Sequence, residues 1–471
     1  MQTGTTPRGT TLVPLIVACA LFMENLDATV IATSLPDIAR SLHADPLQLS
    51  AAMTAYMLSL AVFLPVSGWM ADRFGARRVF GSAIAVFTLG SVLCGVAQDL
   101  PALVAARIVQ GLGGAMMVPV GRLVVLRTVP RAGLVRAMSM VTMPALIGPA
   151  IGPLVGGFIT TYASWRWIFF INVPIGVLGL VLALAFVPDV REKDVPPLDL
   201  PGLLLSGAGL AGLIFGFENV GRGVFAPGTV AAVLAAAALC VLFYVRRAHG
   251  RERPILDPSL LRFPTFAAAI AGGTLFRIGI GALPFLLPLL FQLGFGMTPF
   301  ESGSLTFAGA AGALTMKALA GPILRRVGFR RLLIGNAVLC GLILGGYAFF
   351  RPDTPHALIL AALLLGGFFR SLQFTAINTL AYAEMPDDRV SGANTLSSVM
   401  QQLSLSLGVA TGALILHVMQ AGHSGPLTAA DFEPAFAMVG ALAAAAALFF
   451  LPLAPEAGAE VSGHRRAGQR A

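Results

Sequence analysis

Six ionisable residues fall inside runs that are otherwise apolar: Glu24, Asp27, Arg107, Arg277, Lys317 and Arg370, with Glu384 near the end of another. A charge inside hydrocarbon is costly, so such residues face a cavity or a partner and carry function. Asp27 lies well inside the first run, and Glu24 sits one helical turn before it on a similar face. A carboxylate held away from water can take up a proton and release it when a cation approaches. Asp27 is therefore the first candidate for proton coupling, Glu24 the second, and Arg107 their counter-charge; the competing reading is a permanent Asp27–Arg107 structural pair. Arg277 and Arg370 have no acid of similar depth in their half of the chain. An unpaired cation in a cavity invites an anion, such as a substrate carboxylate, unless Arg277 caps a carbonyl or holds a lipid headgroup. Asn25, Met117, Phe285 and Gln292 are further candidates for a substrate pocket, although Met and aromatic residues more often serve helix packing. Lys317, one turn from Gly321, is expected to snorkel to the surface.

The elements that carry these residues are set by composition. Of 471 residues, 56% are hydrophobic and 11% charged, and the mean hydropathy is +0.83, which points to lipid rather than water as the main solvent. A spanning helix needs about 20 apolar residues to cross about 30 Å of hydrocarbon. Runs of that kind predict an all-α polytopic membrane protein with about fourteen transmembrane helices. Six fall in residues 1–187, two in a Pro-bearing insertion at 188–263 and six in 264–453, ahead of a basic tail at 454–471. The first run is too long for a signal-peptide core and is read as a retained helix.

Cys19, Cys94, Cys240 and Cys340 stand singly, which predicts neither disulfides nor a metal site. Twenty-three of the 31 Lys and Arg residues fall in connections on one side, and only Arg40, Arg166, Arg222 and Arg351 on the other. That bias predicts cytoplasmic termini. It also explains the net charge of +9 without a nucleic-acid partner.

The connection after the second run holds Gly68, Asp72, Arg73, Gly75, Arg77 and Arg78. The one after the tenth holds Gly321, Arg325, Arg326, Gly328, Arg330 and Arg331, so every Gly and Arg of the first recurs 253 residues later. Two halves with the same loop on the same side imply parallel repeats able to rock about a central site. Asp72 can pair with arginines of its own loop or meet a helix N-terminus, forming with Arg73 and Arg77 a latch that breaks on opening; the alternative is a solvated turn. In the fifth run Gly148, Gly152 and Gly156 make one stripe beside Pro149, Pro153 and Gly157, a pattern that close packing alone would explain.

These motifs resemble the major facilitator superfamily. The loop at Gly68 to Arg78 is similar to its GxLaDrxGrk signature, and Arg107, Gln110, Gly111, Gly113 and Gly114 to its RxxqGxg signature. Gly148 to Gly157 resembles the antiporter motif of its exporters. Leu26, Asp27, Thr29, Leu35 and Pro36, with Trp165, Arg166, Trp167, Asn172 and Pro174, are similar to patterns of the 14-helix drug/proton antiporters. Within that EmrB/QacA-like group, Gly113 to Arg122 and Arg277 to Pro284 resemble the MdtD-like branch. The resemblance implies a monomeric, proton-coupled exporter of small amphipathic molecules in a bacterial-type inner membrane, with protons and lipids as partners and no cofactor. Arg277 and Arg370 suggest an alternative, the export of an organic anion or a metal-anion chelate such as a citrate complex. The second loop departs from the signature, with Arg325 in the place of Asp72, so an Asp-dependent latch belongs to the first half. No HExxH, GxSxG, CxxC or Walker loop is present, which argues against an enzyme.

Overall fold

The computed structural model describes residues 9–129, 133–189, 191, 195, 197–220, 225–251, 254–386, 389–422 and 425–462. Arg8, Arg131, Lys193, Arg222, Arg253, Arg465, Arg466 and Arg470 of the charge tally lie outside the described residues. Among those described, thirteen helical stretches are long and apolar enough to cross a bilayer. They are α1 (Leu12–Ser41), α2 (Pro46–Phe74), α3 (Ala76–Val96), α4 (Leu100–Thr128), α6 (Trp167–Phe186), α7 (Leu200–Asn219), α8 (Pro227–His249), α9 (Pro264–Gly294), α10 (Pro299–Val327), α11 (Phe329–Phe349), α12 (His356–Leu380), α13 (Val390–Gln420) and α14 (Ala429–Phe450). A further helix of 29 residues, α5 (Leu134–Tyr162), falls where the fifth span is expected. Several boundaries differ from expectation: α1, α2, α4 and α8 run four to five residues past the apolar runs that end near 36, 70, 123 and 245. The twelfth span was expected to reach 384, but α12 stops at Leu380, and Glu384 lies beyond it, accepting a hydrogen bond from the Thr265 hydroxyl at 3.1 Å.

The helix ends follow local chemistry. The Asp99 carboxylate accepts from the Ala102 amide at the start of α4, and a proline fills the first turn, where its missing N–H costs nothing. Thr298 and Glu301 form a reciprocal capping box on α10. The helices α2 and α10 end at Gly75 and Gly328 with φ of +95° and +77°, a backbone region that glycine enters without penalty. The two repeated loops thus share a conformation as well as a sequence.

Contacts divide the chain into two compact units, Met1–Leu203 and Leu204–Ala471, with the division inside α7. In the first, α1 packs on α4, α5 and α6, α4 packs on α2 and α3, and α3 packs on α6. In the second, α9 packs on α12, α13 and α14, α12 packs on α10 and α11, and α11 packs on α14. Each pairing in one unit has its counterpart eight helices later, so the repeat extends from one loop to the packing of whole bundles. Helices in lipid are held by close packing rather than by expulsion from water. That is visible where α5 meets α1. A Cβ at Gly148 would lie 3.1 Å from the Phe22 carbonyl oxygen, one at Gly152 would collide with the Thr29 hydroxyl, and one at Gly156 with the Val30 carbonyl oxygen. The glycine stripe lets α5 lie on the segment of α1 that carries Glu24 and Asp27.

Candidate functional site

The first unit encloses a polar cluster built from five helices. Asp27 of α1 is fully buried and Arg107 of α4 is 1% exposed. Arg107 Nη1 donates to Asp27 Oδ2 at 2.6 Å and to Gln110 Oε1 at 2.7 Å, and its Nε donates to the Ala52 carbonyl at 3.3 Å. Gln110 Nε2 donates to Asp27 Oδ1 at 2.8 Å and to Ser91 Oγ of α3 at 2.6 Å. From α6, Asn172 Nδ2 donates to the same Asp27 oxygen at 2.8 Å and to Ser91 Oγ at 3.1 Å. The guanidinium lies 4.1 Å above the Tyr56 ring and 5.9 Å from that of Phe169.

Arg107 and Gln110 are three residues apart and so share one face of α4. That face can reach α1, α2 and α3 together because the next turn is glycine-rich: a Cβ at Gly113 would collide with the Phe87 amide nitrogen of α3, and one at Gly111 would lie 2.7 Å from the Tyr56 carbonyl oxygen of α2. Three N–H donors converge on two carboxylate oxygens, and each guanidinium or amide donor has a second use, so the cluster satisfies itself almost completely.

Glu24 is different. It is 8% exposed, and its Oε2 has no hydrogen-bond partner. The Tyr56 hydroxyl is also buried without a partner, and both groups flank Gly114, whose Cβ position is 3.2 Å from Tyr56 Oη and 3.7 Å from Glu24 Cδ. The structure thus joins Asp27 to Arg107 as expected and leaves Glu24 as a buried carboxyl with a free oxygen.

In the α2–α3 loop, Asp72 pairs with Arg127 at the far end of α4, at 2.9 Å, and not with Arg73 or Arg77 of its own loop. Of the loop arginines, Arg73 and Arg78 are exposed and Arg77 is half-buried. Gly75 itself packs against Asp189 and Arg191 beyond α6, where a side chain would collide, whereas a Cβ at Gly68 would meet nothing within 4 Å.

In the second unit Arg277 of α9 is 1% exposed. Its Nη2 donates to Asn378 Oδ1 of α12 at 2.8 Å and its guanidinium sits 5.2 Å from the Phe374 ring, while Nε and Nη1 have no acceptor. Among the described residues it makes no ion pair. Asn378 also lines a cavity of about 350 Å³ with Lys317, Thr375, Thr379, Tyr382 and Val461. Arg370 does not join Arg277. It is half-buried two turns earlier on α12 and faces Gly309 of α10, whose Cβ position is 4.0 Å from Arg370 Nη2.

The remaining pocket candidates are mostly committed to packing. Met117 is fully buried in the hydrophobic core of the first unit, and Phe285 is equally buried. Asn25 turns its amide back onto the Leu21 carbonyl at 2.8 Å, and Gln292 is half-buried on a π-helical turn that closes α9.

Four partners are not marked as such by the sequence: Gln110 and Asn172 stand only within motifs, Arg127 is one of many loop charges, and Ser91 carries no signal. One available signal concerns the repeat. Arg107 and Gln110 of α4 recur with the same spacing as Arg370 and Gln373 of α12, its packing counterpart. Gln373 is again fully buried, accepting from Asn336 at 2.9 Å and donating to the Leu333 carbonyl at 3.1 Å. The loop offset of 253 carries Glu24 onto Arg277. An acid in one half is answered by a guanidinium in the other.

The family model of the Major Facilitator Superfamily matches residues 17–409. The chain belongs to the major facilitator superfamily. This facilitator is 39% identical over 412 residues, 87% of its own length and 87% of the relative's, to "Putative multidrug resistance protein MdtD" of Salmonella heidelberg and, equally, to the proteins of that name from Salmonella newport and Salmonella typhi. It also matches the crystal structure of a D-xylose-proton symporter with a TM-score of 0.66 at 16% identity, over 95% of this chain and 98% of that one, a likeness of fold. It is a polytopic membrane transporter of small molecules and not an enzyme.

Proposed function

We propose that this facilitator is a proton-coupled antiporter that exports small amphipathic molecules from the cytoplasm across a bacterial inner membrane. In this reading both termini are cytoplasmic, and two six-helix bundles joined by an inserted pair rock by alternating access. The observation that carries it is the pairing of opposite situations on one helix face: Asp27 bound by three donors including Arg107, and Glu24 one turn away with a carboxyl oxygen unpartnered. A proton reaching Asp27, relayed by Glu24 one turn away, cancels the charge paired with Arg107 and weakens the tie between α1 and α4. The relatives' printed name supports a drug-like substrate. The test is a proteoliposome assay with an imposed pH gradient and a fluorescent amphipathic dye. Wild type should accumulate dye against its gradient, while Asp27→Asn and Glu24→Gln should only equilibrate it. If both variants accumulate dye as wild type does, this site does not couple protons.

A second reading, export of an organic anion or a metal-anion chelate such as a citrate complex, is favoured by the two orphaned nitrogens of Arg277. A buried cation without an anion destabilises the fold by itself, so it is retained for binding. Replacing it with Met should keep or raise the unfolding midpoint while abolishing protection by citrate-like acids in a thermal-shift screen. Failure of such acids to compete for export, with transport intact in Arg277→Ala, removes this reading.

A further inference from the structure

On α3, Arg78 stands in the first turn, and Ser82, Leu89, Leu93 and Val96 follow it, all exposed. Steps of three, four and seven keep them on one face. At 1.5 Å per residue the stripe from Arg78 to Val96 runs about 27 Å, nearly the thickness of the hydrocarbon layer, about 30 Å. An exposed, mostly apolar stripe of that length matches the hydrocarbon layer of a bilayer. At the Arg78 end it deepens into a groove of about 390 Å³ lined by Met70 and Phe74 of α2, Val79, Ala83 and Val86 of α3 and Met116 of α4, with Arg78 as its one charged residue. No side chain fills its floor, because α4 touches α3 there through Gly113. Phe74, 47% exposed and edge-on to Trp69, stands beside it, as aromatic residues do at a membrane interface. Among the described residues Arg78 makes no hydrogen bond or ion pair.

We propose that this groove is a binding site for an anionic phospholipid, with the phosphate on Arg78 and an acyl chain laid between α2, α3 and α4. The chemistry selects that occupant. A free anion would leave the apolar walls uncovered, a cationic amphiphile would be repelled by Arg78, and a zwitterionic lipid would bring its own cation to the guanidinium. Basic pockets between transmembrane helices hold acidic headgroups in this way. Met70 and Phe74 flank Asp72 in sequence, so the lipid would lie against the end of α2 that pairs with Arg127.

The test is native mass spectrometry of the delipidated full chain titrated with dioleoyl phosphatidylglycerol and with dioleoyl phosphatidylethanolamine. Wild type should take up phosphatidylglycerol about five- to tenfold more tightly, the contribution of one charge-assisted contact. Arg78→Gln should abolish the preference, Arg73→Gln should keep it, and Ser82→Phe should weaken both lipids by filling the groove. The proposal is overturned if Arg78→Gln retains the preference, or if Arg73→Gln loses it equally, which would mean diffuse loop charge. It is also overturned if inorganic phosphate alone stabilises the chain as much as phosphatidylglycerol does.

Discussion

Substituting Asp27 with Asn separates the energetic from the transport role of the buried cluster. The side chain keeps its size but loses its charge, leaving the guanidinium of Arg107, 1% exposed, with only neutral acceptors: Gln110 Oε1 and the Ala52 carbonyl. Gln110 and Asn172 lose less, since each still donates to Ser91. Removing one partner of a buried ion pair costs about 3–5 kcal/mol, because the other charge is left uncompensated. A unit of roughly 200 residues shifts its midpoint by about 2–4 °C per kcal/mol, so the expected fall is about 6–20 °C. All three tryptophans, Trp69, Trp165 and Trp167, lie in the first unit. Intrinsic fluorescence of detergent-solubilised protein during heating therefore reports on the unit that carries the pair. The double variant Asp27→Asn/Arg107→Gln removes both charges and should recover at least about 1 kcal/mol relative to the sum of the single variants, the coupling expected of residues in direct contact. A fall below about 2 °C for Asp27→Asn, or strict additivity in the double variant, would refute the argument that the pair is held as a buried charge pair.

Two further outcomes follow from packing and surface geometry. Gly156→Ala should cost about 1–3 kcal/mol by forcing α5 off α1, where its Cβ would lie 2.7 Å from Thr33 Oγ1, whereas Gly68→Ala, with open space around it, should stay within about 0.5 kcal/mol; thermal unfolding compares them. Asp72→Asn and Arg127→Gln break a pair whose side chains are 33% and 22% exposed, so each should cost at most about 1 kcal/mol of stability yet lower efflux in a cell-based dye assay to the same degree; unchanged efflux in both would remove the latch.

Much of this protein was legible without coordinates because lipid imposes simple rules. Backbone groups in hydrocarbon must be satisfied within the helix, so apolar run length reports the spans, and a buried charge advertises itself against an apolar background. Asp27, Arg107 and Arg277 were found in that way, and the repeated Gly and Arg loop revealed the duplication that the helix pairings repeat. Polar residues such as Gln110, Ser91 and Asn172 carry no such contrast. Gln110 and Asn172 became partners of Asp27, with Ser91 accepting from both, only when glycines let α4 approach α2 and α3 and α6 brought Asn172 to the same cluster. The same holds for Asp72, whose partner lies 55 positions away on α4 rather than in its own loop. The separation of Arg370 from Arg277 depends on where along α12 the helix α9 meets it, a matter of packing that run length and hydropathy do not encode. One-dimensional pattern determined which groups were costly to bury. Three-dimensional packing decided which of them were given partners, because close approach between helices depends on side chains missing from both surfaces at once.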